Sequence, residues 1–151
     1  MNRKPIITSI KTYYLTKSEK KLFKKEKPWG IILFKRNIKS FNQVKLLTKD
    51  IRKILNDQFY PILIDEEGGR VNRFKKLFDT SIFTGNFFGN IYKKDKRKFY
   101  LYYKIFSKQL SFILKSTGIN INTLPVLDVR RQYSDNVIGD RSFSYDPMIV
   151  S

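Results

Sequence analysis

The chain has 151 residues, 41% of them hydrophobic and 15% aromatic, and this composition is typical of one packed globular domain and argues against disorder. It contains no cysteine and no histidine, which excludes disulfides, thiolate metal sites and every Ser-His-Asp, Cys-His or zinc-histidine scheme within these residues. A net charge of +18 raises nucleic acid as a partner. Because the lysines are dispersed along the chain, we favour a solvated basic surface and expect no nucleic-acid partner.

The amino-terminal residues give no indication of export. Residues 1–14 are basic, but they lack the uninterrupted apolar stretch of a secretory signal. No apolar run approaches the roughly 20 residues needed to cross a bilayer. Together with the absence of cysteine, these features predict a cytoplasmic protein with no membrane partner.

The first predicted elements are a helix, a strand and a second helix. Thr16 and Glu19 have the spacing of a capping box and predict a short helix that Pro28 ends. The segment GIILF at 30–34 has no polar alternation, which is typical of a parallel strand covered on both faces. Apolar residues at helical spacing then predict an amphipathic helix over 41–56.

The remaining elements repeat this order. YPILI at 60–64 is a second apolar strand, and residues 75–95, with their glycines and asparagines, predict a long loop with at most a short helical turn. A long helix is predicted over 96–117, followed by a strand over 119–124. Strands that alternate with crossover helices predict a parallel α/β sheet in which the three strands are adjacent.

Polar residues follow the second strand directly. In IDEEGGRVNRF, residues 64–74, Asp65 leaves the strand, two glycines allow a tight turn, and Arg70 and Arg73 follow. A carboxylate accepts hydrogen bonds from sugar hydroxyls and a guanidinium donates them, so the segment suits a hydroxyl-rich ligand. The alternative is a turn held together by its own salt bridges.

Two further polar segments come later in the chain. LPVLDV at 124–129 carries Asp128, which either contributes to a site or accepts from loop amides. VIGDRSFSYDP at 137–147 carries Arg141, which either binds a ligand or anchors its own loop. Because ligands of parallel α/β folds bind beyond the carboxyl ends of the strands, we expect Asp65, Asp128 and Arg141 at one edge of the sheet.

Taken in order and at these separations, four segments resemble the glycoside hydrolase family 3 β-N-acetylglucosaminidases of bacterial peptidoglycan recycling. The segments are GIILFKRNI, PILIDEEGGRVNRF, INTLPVLDV and VIGDRSFSYDP. The resemblance runs from about Thr16 to the last residue. It implies an α/β fold made of parallel βα units of a TIM-like (β/α) barrel, incomplete because residues 1–151 would form a single partial domain, the amino-terminal half.

The resemblance also implies an activity and a site. The activity is hydrolysis of terminal non-reducing N-acetylglucosamine from β-linked glycosides such as peptidoglycan fragments, with an N-acetylglucosamine-containing glycan or muropeptide as partner and with no metal or organic cofactor. Asp65 matches the Asp of the family's DxEGG motif, which binds sugar hydroxyls, and Arg73 and Arg141 match the arginines that complete this part of the site. Glu66 departs from the pattern, which usually has Gln there.

The family's catalytic groups come from segments that follow this region. They are a Lys-His pair, a His-Asp acid/base and a nucleophilic Asp, and none of them is matched here. We therefore expect a truncated reading frame or fragment that holds part of the sugar site, has no catalytic residue and is inactive alone. The alternatives are a sugar-binding remnant without catalysis and a basic nucleic-acid-binding protein. Nothing in the sequence indicates an oligomeric state.

Overall fold

The computed structural model describes residues 3–131, 133 and 136–151, in which the chain divides into two units. The first unit runs to Asp65 and also includes Phe112–Asn122. The second consists of Glu66–Ser111 and Thr123–Ser151. The single partial domain expected over residues 1–151 stays a prediction.

A parallel sheet forms the centre of the first unit. Among the described residues its strands are β1 (Lys4–Ser9), β2 (Pro28–Leu33), β3 (Ile62–Ile64) and β4 (Ile121–Asn122), in the order β1-β2-β3-β4. Ile31 lies opposite Ile62, and Leu63 lies opposite Ile121. Ile31, Ile62 and Ile64 are completely buried, as the unbroken apolar runs require. The predicted adjacency and parallel direction of the last three strands are confirmed.

The helices α1 (Lys17–Glu26) and α2 (Phe41–Leu55) also belong to the first unit. The hydroxyl of Thr16 accepts from the Glu19 N–H, and the Glu19 carboxylate accepts from the Thr16 N–H at 2.9 Å, which confirms the capping box. One face of α2 is buried, as its periodicity predicts. The buried residues are Val44, Leu47, Thr48, Ile51 and Leu55.

The second unit contains helix α3 (Gly85–Lys94), so the loop predicted over 75–95 is wrong for its second half. Thr84 caps α3 by accepting from the Phe87 N–H. Gly85 and Gly89 are packing positions: a Cβ at Gly85 would overlap the carbonyl oxygen of Arg141, and one at Gly89 would overlap that of Phe143. Glycine is therefore present because a backbone segment lies against the helix.

Helix α4 (Lys96–Ser116) matches the predicted long helix, and a short 3₁₀ turn (Gly139–Arg141) and α5 (Pro147–Val150) complete the elements. Residues 83–143 of the second unit carry an aromatic cluster, with Phe88 at ring-centroid distances of 4.9 Å from Tyr103 and 5.2 Å from Phe106. Phe143 lies 5.7 Å from Tyr103 in the same cluster. Within the described ranges, no helix combines the length and apolarity that a bilayer crossing requires.

Two strands differ from expectation. β1 is not predicted from the sequence, because its Ile6 and Ile7 are about half exposed at the sheet edge and give no clear burial pattern. β4 ends at Asn122 and is shorter than the predicted strand over 119–124. The exposed Asp128 therefore lies several residues beyond the strand and does not follow it directly, because the chain leaves the sheet before the LPVLDV segment.

Candidate functional site

The three residues expected to bind sugar fall in both units. Asp65 is half-buried and directly follows β3. It ends the first of the two segments that make up the first unit. Arg73 and Arg141, both half-buried, belong to the second unit. The expectation that Asp65, Asp128 and Arg141 gather at one sheet edge stays a prediction.

The loop after Asp65 turns tightly because of its two glycines. Gly68 has φ +80° and Gly69 has φ +58°, a left-handed backbone that favours glycine. The Glu67 N–H donates to the Val71 carbonyl at 2.9 Å, and the Val71 N–H donates to the Gly68 carbonyl at 3.2 Å. The EEGGR segment thus forms a closed turn with Arg70 at its end.

Glu66 organises the segment that carries Arg73. Its side chain is only 1% exposed, and its Oε2 accepts from the backbone N–H of Arg73 at 2.7 Å and of Phe74 at 3.0 Å. The Thr80 hydroxyl donates to Oε1 at 3.4 Å. Burial raises the pKa of Glu66 to about 7, and the backbone donors only partly offset this effect. Glu66 therefore has a structural role, since it fixes the backbone at Arg73.

Glu67 and Arg141 form a bidentate ion pair. The Nε of Arg141 donates to Oε2 of Glu67, and its Nη2 donates to Oε1, both at 2.8 Å. The Glu67 side chain is 8% exposed and that of Arg141 is 23% exposed. The Nη1 of Arg141 also donates to the Val137 carbonyl at 3.2 Å. This last contact joins Arg141 to the backbone of its own loop, and such a contact does not exclude a ligand.

A second ion pair joins the same two segments. The Nε of Arg70 lies 2.8 Å from Oδ1 of Asp140, and its Nη2 donates to the carbonyls of Asn136 at 2.7 Å and Ile138 at 3.0 Å. Both charged side chains are more than 40% exposed. Gly139, at φ +43°, lies directly against the Arg70 guanidinium. Residues 67–70 and 136–141 are therefore held together by two crossed acid–arginine pairs.

Glu67 and Asp140 are not among the site residues that the sequence predicts. The sequence did contain a hint of their ion pairs, because each of the segments EEGGR and GDR carries an acid and an arginine. Two such segments form ion pairs readily when they lie close together. Periodicity cannot show that two segments about 70 residues apart meet. The alternative of a salt-bridged turn is thus right about ion pairing, but the partners come from two different loops.

The pair of Glu67 and Arg141 backs onto the aromatic cluster. Both residues line a cavity of about 10 Å³, together with Phe88, Tyr103 and Phe143. This volume is about what one water molecule needs. In the part of the chain that the structure describes, no group of three acids, histidines or cysteines is arranged to hold a metal ion. The carboxylate and the guanidinium that line the cavity are paired with each other, so any hydroxyl-rich ligand would have to share their hydrogen bonds.

Comparison with known proteins identifies similar chains. Residues 7–151 match the glycosyl hydrolase family 3 N-terminal domain. The chain is 33% identical over 153 residues to a beta-hexosaminidase of Neisseria meningitidis serogroup A, covering 99% of this chain and 41% of that protein. It is 29% identical over 151 residues to a beta-hexosaminidase of Thioalkalivibrio sulfidiphilus, covering all of this chain and 43% of that protein. The chain thus spans well under half the length of these relatives.

Solved structures of similar proteins superpose well on this chain. The crystal structure of native NagZ from Neisseria gonorrhoeae superposes with a TM-score of 0.86 at 33% identity, covering 98% of this chain and 43% of that chain. The same protein has been solved in complex with N-trifluoroacetyl-D-glucosamine, with the same TM-score and identity. The predicted fold class, parallel βα units of a TIM-like barrel, is confirmed by this similarity and by the parallel sheet.

Proposed function

We propose that the chain supplies part of a β-N-acetylhexosaminidase, because it belongs to glycosyl hydrolase family 3 through its N-terminal domain. The reaction is hydrolysis of terminal non-reducing N-acetylglucosamine from β-linked glycosides such as peptidoglycan fragments. The observation that carries the proposal is the similarity, over 98% of this chain, to a protein that has been solved with an N-acylated glucosamine. The natural partner is then an N-acetylglucosamine-containing glycan or muropeptide.

Within this proposal, Asp65, Arg73 and Arg141 contact the sugar. Asp65 accepts hydrogen bonds from sugar hydroxyls, and the two guanidiniums donate to sugar oxygens. The support is of two kinds: the family motif is matched at these positions, and Arg141 and the Arg73 backbone have defined partners in Glu67 and Glu66. A sugar-binding arginine works best when its orientation is set before the ligand arrives.

The catalytic groups, in the same proposal, come from segments outside these 151 residues. A retaining hydrolase needs a nucleophile on one side of the anomeric carbon and a proton donor on the other. We assign neither role to a residue of this chain, and we propose that residues 1–151 are the amino-terminal part of one barrel domain. A cytoplasmic location is part of the proposal, on the sequence features given above.

Sugar binding by the chain itself tests the proposal. We expect N-acetylglucosamine to shift NMR signals of the chain in a saturable titration. Asp65→Ala and Arg141→Ala should each weaken binding by about 1–3 kcal/mol, since each removes a charged hydrogen-bonding group from the sugar. The matched control is the triple change of Lys93, Lys94 and Lys96 to Ala, which should have almost no effect because exposed lysines contribute weak, screened interactions.

The outcomes separate the candidate functions. Saturable binding that is lost in Asp65→Ala and Arg141→Ala supports the sugar site. Binding that survives both changes but falls with the lysine triple variant would show that a basic surface captures the ligand and that the proposed site is wrong. Salt-sensitive binding of any DNA duplex, with no response to the sugar, would favour the nucleic-acid alternative.

A further inference from the structure

We infer that Glu67 is a positioning residue for Arg141, which it orients for the sugar without contacting the sugar itself. The inference rests on the proposed function, since that function gives Arg141 its ligand. It adds a residue to which the motif comparison assigns no role. The relevant atoms all belong to the second unit of the chain.

The first observation is the geometry of the ion pair. Two parallel contacts of 2.8 Å, from Nε and Nη2 of Arg141 to the two carboxylate oxygens of Glu67, define the plane of the guanidinium as well as its position. A single hydrogen bond to Glu67 would leave the guanidinium free to rotate about the axis of that bond. Bidentate pairing of this kind is a source of geometric specificity that a lysine could not provide.

The second observation concerns the backbone of Arg141. Its carbonyl oxygen lies where a Cβ would be if residue 85 were not glycine, and the Phe143 carbonyl occupies the corresponding place at Gly89, one turn later on α3. The backbone on both sides of Ser142 is therefore held against a helix. With the backbone fixed by α3 and the guanidinium fixed by Glu67, both ends of the Arg141 side chain are constrained.

The third observation is the contrast between the two ion pairs. Glu67 is 8% exposed and lies beside the aromatic cluster, where water competes weakly for its carboxylate. Asp140 is 41% exposed in its pair with Arg70, so solvent screens that interaction. Arg70 also donates to the carbonyls of Asn136 and Ile138, and neither contact involves the Asp140 side chain. Asp140 is therefore a matched control in the same loop.

The experiment compares Glu67→Gln with Asp140→Asn in the 151-residue chain. Glutamine keeps the size of the side chain but offers one acceptor oxygen where glutamate offers two. Three quantities are measured for each variant: the Nε–H NMR signal of Arg141, assigned by its loss in Arg141→Lys; the melting temperature; and the dissociation constant for N-acetylglucosamine.

We expect Glu67→Gln to broaden or shift the Nε–H signal of Arg141 and to weaken sugar binding about tenfold, as a lost charged hydrogen bond would. Asp140→Asn should leave both quantities unchanged. If Glu67→Gln unfolds at the temperature of the measurement, Glu67→Asp replaces it, because the shorter side chain keeps the charge but cannot reach both nitrogens. A folded variant is then available for each comparison.

Two failures can be told apart. An unaltered chain that binds no N-acetylglucosamine overturns the proposed function and, with it, the role of Glu67 toward the sugar. An unaltered chain that binds the sugar, together with a folded Glu67 variant that binds it equally well, overturns only the positioning role. Equal weakening by Glu67→Gln and Asp140→Asn would also contradict it, since loss of any loop ion pair would then have the same effect.

Discussion

At the scale of single residues, two neighbouring carboxyls have different surroundings. Glu66 is almost fully buried and is satisfied by backbone N–H groups of Arg73 and Phe74, whereas Glu67 faces the guanidinium of Arg141. Backbone donors do not compensate the cost of burying a charge, and the pKa of Glu66 rises to about 7. Burial therefore gives Glu66 a part in the stability of its loop, whereas Glu67 is held in an ion pair.

We predict that Glu66→Gln changes how stability depends on pH. The native pKa of Glu66, about 7, lies above the ordinary value of 4.5, so the folded state binds the proton more tightly than the unfolded state. The stabilisation that this bound proton gives the folded state is fully present below about pH 4.5 and is lost as the pH rises through 7. Removing the titration should stabilise the variant, relative to the unaltered chain, by up to about 3 kcal/mol at pH 8 and much less at pH 5.

Urea unfolding at pH 5 and pH 8 measures this difference. Glu26→Gln is the control, because the contact with Lys4 places the pKa of that half-buried carboxyl below its ordinary value, outside this pH range. Unfolding free energies of Glu66→Gln and the unaltered chain that run parallel from pH 5 to pH 8 would show that Glu66 is ionised throughout and that its backbone donors stabilise the charge fully.

At the scale of secondary-structure elements, α3 shows how a packing requirement overrides local propensity. Glycine destabilises a helix interior by about 1 kcal/mol relative to alanine. Gly85 and Gly89 are nevertheless one turn apart on α3, on the face that the backbone of residues 141–143 approaches. The helix forms despite its glycines because Thr84 caps it and because Phe88 is buried in the aromatic cluster.

We predict that Gly89→Ala destabilises the chain by about 1–3 kcal/mol, although alanine is the better helix former. The added Cβ would overlap the carbonyl oxygen of Phe143, and the backbone there has to move. Asn90→Ala is the matched control at the adjacent, exposed position of the same helix, and it should be neutral or stabilise by a few tenths of a kcal/mol.

Thermal unfolding followed by circular dichroism compares the two variants. A Gly89→Ala variant that melts higher than the unaltered chain, by as much as propensity alone allows, would mean that residues 141–143 do not lie against α3. The same result would remove one of the two constraints on Arg141.

At the scale of the whole molecule, the chain carries a parallel sheet and the helices that connect its strands, and it matches 43% of the length of a solved relative. Under the proposed function, residues of this chain contribute to sugar binding and the groups that cleave the bond come from other segments, so binding and hydrolysis are expected to be separable.

We predict that the 151-residue chain does not hydrolyse an aryl N-acetyl-β-glucosaminide. A chimaera in which it replaces the matching segment of the Neisseria gonorrhoeae relative should do so, because under the proposed function the acid/base and the nucleophile come from segments outside these 151 residues. In the chimaera, Asp65→Ala should lower kcat/KM by about 10- to 100-fold. The assay is release of the aryl group. Turnover by the chain alone that disappears with Asp65→Ala would show that the mechanism has been misassigned.

The sequence by itself determined the local structure and the class of protein. Unbroken apolar runs identified β2 and β3, because strands buried on both faces contain no polar alternation, and capping residues and helical spacing located α1, α2 and the long α4. The motifs IDEEGGRVNRF and VIGDRSFSYDP then indicated the family, and the comparison confirms it. These features depend on residues that are close in the chain, which is why a sequence displays them.

Only the tertiary structure decided the rest. It showed that Gly85 and Gly89 lie within a helix. Glycine is required at both positions because a backbone segment more than 50 residues away in the chain lies against that helix. It also showed that Arg141 pairs with Glu67 and Arg70 pairs with Asp140, and that burial separates the chemistry of Glu66 from that of its neighbour. Close approach, ion pairing and burial depend on which distant segments meet in space, and hydrophobic periodicity carries no information about those meetings.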